Sequence, residues 1–155
     1  VKNAKLNVVN IWTDGSCLNN GLHKNRPSPG GWAAILIYKN HIKELSGSIK
    51  DTTNNRAELL AIINALKIIK KPCKINIITD SNLIVQTLTK GWKKSKNTDL
   101  WLELNIVMIE IQCDIEWTWI KGHSNTNIYN ERCNTLAQIE AMKLSAMIAE
   151  ESLEE

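Results

Sequence analysis

Three carboxylates stand where acidic side chains could do chemistry: Asp14 in WTDGS, Glu58 in NRAEL and Asp80 in ITDS. Each has an ordinary structural explanation when taken alone. Asp14 could open an Asp-Gly turn, Glu58 could sit in a dipole-favoured first turn of a helix, and Asp80 could cap another. Brought together they are harder to read as structure, because like charges at one place repel unless a cation neutralises them. Hard oxygen ligands without thiolates suit magnesium or manganese better than zinc.

The surrounding pattern predicts elements that bring these acids together. Strand-like runs occupy 6–12, 32–39 and 42–49, the last two forming a hairpin around Asn40–His41. Apolar residues Leu59, Ile62, Ile63, Leu66 and Ile69 recur at helical spacing over 55–70, and Pro72 ends that helix. KINIIT (74–79) reads as a short strand buried on both faces. Asp80–Ser81 then caps a helix to about Thr89, and residues 98–111 form a third element of the same kind capped by Thr98 or Asp99. A strand at 115–120 and a final helix from near Asn130 to about Glu151 complete the order βββαβααβα. Asp14 and Asp80 then end neighbouring strands, and Glu58 lies in the first turn of the first long helix. The acids meet at the edge where open α/β sheets place their sites.

The chain of 155 residues is long enough for one domain with a substantial core, and its 43% hydrophobic and 23% charged residues suit a globular protein. No apolar run is long enough to span a bilayer. The first ten residues lack the apolar core of a secretory leader. A net charge of +3 permits a polyanionic partner without requiring one. Cys17, Cys73, Cys113 and Cys133 show neither C-x-x-C nor zinc-finger spacing and read as reduced thiols of a cytoplasmic protein. No long heptad or large apolar patch recommends a dimer, so a monomer is expected.

Six segments in order, TDGSCLNN (13–20), PGGWAAIL (29–36), TTNNRAEL (52–59), ITDS (78–81), WIKGHS (119–124) and NERCNTLA (130–137), resemble type 1 ribonuclease H. The resemblance covers about residues 8–142 of one domain spanning 1–155, with 143–155 as a helical or flexible tail. It implies a ribonuclease H-like α/β fold with a five-stranded mixed sheet flanked by helices. It also implies an endonuclease that hydrolyses the RNA strand of RNA–DNA hybrids with two Mg2+ ions, Mn2+ being a possible substitute. By motif match, Asp14, Glu58 and Asp80 take three of the four acidic ligand positions. The fourth falls at Asn134, where this chain has an amide. An amide oxygen still coordinates a hard cation but carries no full charge, so slower catalysis is expected. The intact remainder of the motifs favours a near-isosteric substitution that disables cutting. A natural variant that works at higher metal concentration, or has become a binder, is the other origin.

The same resemblance makes His123 a proton carrier and gives Glu131 a part in releasing metal or product. It places Asn20, Asn54 and Asn55 at the hybrid's minor groove, Thr53 on a DNA phosphate, and the backbone of Gly15 and Cys17 near the scissile strand. Asn54 or Asn55 could also cap the helix, and Arg56 is either a structural partner or a phosphate contact. Trp92, Lys93 and Lys94 lie in KGWKKSK (90–96), a short basic segment suited to phosphates and sugar or base stacking. His23, Lys24 and Arg26, in the long loop 19–31, either add phosphate contacts or belong to a simple insertion. The competing readings are a non-catalytic hybrid-binding module and another nuclease of the same fold superfamily.

Overall fold

The computed structural model describes residues 7–19, 28–122 and 127–154. His123, Asn20, His23, Lys24 and Arg26 lie outside the described residues. Nine elements follow the anticipated order: β1 (Val8–Cys17), β2 (Gly30–Tyr38), β3 (His41–Ile49), α1 (Asn54–Lys67), β4 (Lys74–Thr79), α2 (Asn82–Lys90), α3 (Thr98–Ile111), β5 (Asp114–Trp119) and α4 (Ile128–Glu154). The strands form one mixed sheet in the order β3-β2-β1-β4-β5. β3, β2 and β1 are antiparallel, whereas β1, β4 and β5 run parallel.

The period-two alternation of the strands divides the core between two faces. Val9, Ile11, Ile75 and Ile77 pack against Leu59, Ile62, Ile63 and Leu66 of α1 and against Leu100, Trp101, Leu104 and Val107 of α3. On the opposite face α4 lays Cys133 and Ala137 against Ala33 and Ile35, with Trp12 and Tyr129 at the margin. The start of α4 is anchored by the Arg132–Glu44 ion pair at 2.8 Å. Further along, Ser48 Oγ donates to Glu140 Oε2 at 2.9 Å.

Several boundaries differ from the sequence reading for identifiable reasons. β1 does not stop near Trp12 but continues through TDGSC, because β2 pairs with it as far as Cys17↔Gly30. Asp14 therefore lies within a strand and opens no turn. The hairpin turn is Lys39–Asn40, since His41 already pairs with Tyr38. Lys39 takes φ 53° there. The cap of α1 is Thr53, whose hydroxyl accepts from the Arg56 N–H at 3.3 Å, in place of Asn54 or Asn55. Glu58 consequently falls beyond the first turn, and the helix ends at Lys67. α3 begins after Asn97 in a left-handed conformation and has no side-chain cap bond, so neither Thr98 nor Asp99 caps it. β4 buries Ile75, Ile77 and Thr79 fully on one face only. Its other face is half-buried, and there Asn76 Nδ2 donates to Asn10 Oδ1 at 2.9 Å. The tail is helical to Glu154.

Candidate active site

The parallel register of β1 and β4 ends at Thr13↔Thr79, so Asp14 and Asp80 follow side by side. Both threonines are fully buried beneath them. Glu58 arrives from α1, and Gly15 lets it come close. A side chain at 15 would collide with the backbone of Ala57 and Glu58, so only glycine allows α1 to press on β1 there. One ligand oxygen from each of Asp14, Glu58 and Asp80 lies within 4.8 Å of the others.

The cluster is poorly solvated. Asp14 is 4% exposed and Glu58 9%. Asp14 Oδ1 accepts from the Gly15 N–H at 2.9 Å. Glu58 Oε2 is buried and has no hydrogen-bond partner. Burial pushes the Glu58 carboxyl well above its usual range, and the charge and hydrogen bonding of Asp14 and the charge of Asp80 add to this, while the Gly15 N–H opposes it. A buried oxygen without a donor beside two further carboxylates is the environment a hard cation would relieve. The residues present therefore fit divalent metal.

Asn134 lies half-buried in the second turn of α4, on the helix that covers the Asp14 face of the sheet. Its neighbour Cys133 donates its thiol to the carbonyl of Trp12, two residues before Asp14, at 3.3 Å. Burial and the nearby Asp14 charge hold that thiol protonated. Glu131 sits in the first turn of the same helix.

The exit of β5 holds Asp80, a feature the sequence reading missed. Trp119 Nε1 donates to the Asp80 carbonyl at 3.1 Å, and Ile120 N–H donates to the Thr79 carbonyl at 2.9 Å. A Cβ on Gly122 would stand 2.8 Å from Asp80 Oδ2. The K-G-H spacing offered a signal for Gly122. Nothing local could have pointed to Trp119, whose bond spans 39 positions.

The candidate nucleic-acid residues separate into groups. Asn55, Lys93 and Lys94 line one cleft of about 260 Å³ together with Lys96 and Trp101. Thr53 and Asn54 open α1, with Asn54 one turn before Glu58. Cys17 Sγ donates to the Thr52 carbonyl at 3.3 Å, tying the end of β1 to the approach to α1. Trp92 is 47% exposed. Arg56 makes a two-pronged pair with Asp99, at 2.9 and 2.7 Å, and so has a structural partner. A larger cleft of about 450 Å³ lies at the other end of the sheet, among Tyr38, His41, Ile68 and Pro72, and takes no part in this site.

Residues 6–142 match the RNase H family model. The chain belongs to the ribonuclease H family, as a type 1 member. It is 46% identical over 145 residues to ribonuclease H of Campylobacter jejuni, covering 88% of this chain and 93% of that protein. It is 45% identical over 157 residues to ribonuclease H of Tolumonas auensis, covering 92% and 96%. Among solved structures, LC9-RNase H1, described as a type 1 RNase H with the type 2 active-site motif, matches with a TM-score of 0.77 and 27% identity over 92% of this chain and 76% of that one. LC11-RNase H1, solved in complex with an RNA/DNA hybrid, has the same fold with a TM-score of 0.68 and 22% identity over 87% and 97%. The sheet and its flanking helices are thus those of a ribonuclease H enzyme, and among the described residues no helix is long and apolar enough to cross a membrane.

Proposed function

We propose that this ribonuclease H hydrolyses the RNA strand of RNA–DNA hybrids at a two-cation site held by Asp14, Glu58, Asp80 and Asn134, and that the amide at 134 slows the reaction without abolishing it. The observation that carries the reading is the three-carboxylate cluster with its partnerless buried Glu58 oxygen. Bound Mg2+, or Mn2+ in its place, would supply the positive charge that activates water and neutralises the departing 3′-oxygen. By its match to the family motif, Asp14 would be the ligand shared by both cations, and Glu58 and Asp80 would hold the leaving-group side. Asn134 would offer a neutral oxygen as the fourth ligand. His123 carries the proton, the role that the resemblance gives it, histidine being the side chain best suited to proton transfer near neutral pH. Glu131 assists release.

Recognition of the hybrid would fall to the polar groups that the resemblance to type 1 ribonuclease H assigns to it. Asn20, Asn54 and Asn55 read the minor groove, where the 2′-hydroxyl both donates and accepts. Thr53 and the backbone of Gly15 and Cys17 meet the strands, and Trp92, Lys93 and Lys94 hold phosphate and sugar. The cleft that unites Asn55 with Lys93 and Lys94 supports this division of labour.

The test is cleavage of a labelled RNA–DNA hybrid by this chain and by Asn134→Asp over a range of magnesium and then manganese concentrations. The Asp form should cut faster and reach half-maximal rate at lower metal, with the gap narrowing as metal rises. Equal rates at every concentration would show that the fourth ligand's charge is dispensable. Hybrid binding without cleavage by either form would replace the enzyme reading with a binding module.

A further inference from the structure

Away from the carboxylates, two thiols meet at the opposite end of the sheet. Cys73 and Cys113 each stand one residue before the first register pair of β4 and β5, Lys74↔Asp114. Their Sγ atoms are 3.9 Å apart. Neighbouring strands run about 4.8 Å apart, inside the Cα separation that a disulfide spans. Closing the remaining gap needs side-chain rotation and no rearrangement of the sheet. Both are free thiols, Cys73 buried and Cys113 half-exposed.

We propose that Cys73 and Cys113 form a modification site, a vicinal thiol pair that low-molecular-weight disulfides convert into a reversible cross-strand bond stapling β4 to β5. Burial, with Cys113 beside it, pushes the Cys73 thiol up to about 11, which leaves the more exposed Cys113 to meet the reagent first. The Cys113 thiolate attacks one sulfur of the reagent, whose S–S bond breaks and releases one thiol. Cys73 then gives up its proton and attacks Cys113 Sγ, expelling the second reagent thiol. The protein loses two protons and two electrons, and the reagent gains both.

The closed loop contains β4, α2 and α3, about forty residues, so the bond removes considerable freedom from the unfolded chain. Asp80 follows the other end of β4, about 20 Å away by strand rise. The staple should therefore raise stability and leave hybrid cleavage unchanged.

The experiment treats the full chain with oxidised glutathione, blocks remaining thiols by alkylation, and maps the cross-linked peptides by mass spectrometry. The expected product joins the peptides of Cys73 and Cys113, raises Tm by about 5–15 °C, and reverts with dithiothreitol. Cys113→Ser, a small change at a half-exposed position, should remove both the cross-link and the Tm shift. A glutathione adduct that persists on Cys113, a bond to Cys17 in place of Cys73, or a cross-link without a Tm rise would each overturn the proposal. Mapping of the unmodified chain decides the matter even if the serine variant folds poorly.

Discussion

The indole N–H of Trp119 donates to the backbone carbonyl of Asp80 at 3.1 Å. Asp80 directly follows β4 and precedes Ser81, the cap of α2, so this bond fixes the backbone at a junction between two elements. Trp119→Phe keeps a ring and removes only the donor. A hydrogen bond of this sort contributes about 1 kcal/mol, close to a fivefold change in an equilibrium constant. The expected result is a Tm lower by about 2–4 °C together with weaker Mn2+ binding by calorimetry. Unchanged metal affinity would reduce Trp119 to surface packing.

Gly122 acts on the same residue through space. Its backbone lies against the Asp80 side chain, and an added Cβ at 2.8 Å from Oδ2 must displace something. Gly122→Ala should therefore push the carboxylate from the cluster and lower the cleavage rate at subsaturating metal by about tenfold or more, an effect on the scale of one lost catalytic contact. Raised metal should restore part of the rate, because displacement weakens a ligand without deleting it. A rate equal to that of the unaltered chain at low metal would mean that the segment gives way without moving Asp80.

Glu58 predicts how stability responds to pH. Its carboxyl titrates well above the ordinary value of 4.5, chiefly because it is buried. A group with a raised folded-state pKa binds more protons when folded, so its contribution is complete below pH 4.5 and is lost as pH rises through the higher value. Divalent cation can replace the proton. In chelator, Tm should fall across that window, and the Tm gain on adding Mg2+ should be larger at about pH 8 than at about pH 5. Glu58→Gln should flatten the chelator curve. Scanning calorimetry at several pH values measures both, and a gain independent of pH would separate Glu58 from the metal.

These contacts mark what the sequence made legible and what it did not. The apolar spacing from Leu59 to Leu66 announced α1, because a helix that buries one face must repeat it. Asp14 and Asp80 could be placed as neighbours because both follow β-rich runs. The length of β1 could not be read, since TDGSC has no apolar alternation and pairs only because β2 lies beside it. Asn97 in a left-handed conformation had no local signature that separates it from an ordinary cap. The Trp119–Asp80 bond and the Cys73–Cys113 approach join residues 39 and 40 positions apart, and such meetings depend on strand register, which composition and periodicity leave open.

Arg56 was open to two readings, a structural partner or a phosphate contact, and its geometry favours the first. Its guanidinium grips both oxygens of Asp99 and reaches Asn97 Oδ1 at 3.4 Å, joining α1 to the start of α3 beside residues 91–97, which follow α2 and hold most of the basic segment 90–96. The pair holds the Asp99 carboxyl down to about 2, through its hydrogen bonds to Arg56 first. Lysine cannot reproduce a two-pronged contact. Arg56→Lys should therefore loosen the 91–97 segment, seen as faster limited proteolysis there, and weaken hybrid binding a few-fold. Removing a phosphate contact would instead lower the slope of log affinity against log salt by about one. Since lysine keeps the charge, Arg56→Ala gives the cleaner reading. An unchanged salt slope with faster proteolysis identifies Arg56 as the clamp on the basic segment, whereas a slope reduced by about one identifies it as a phosphate ligand.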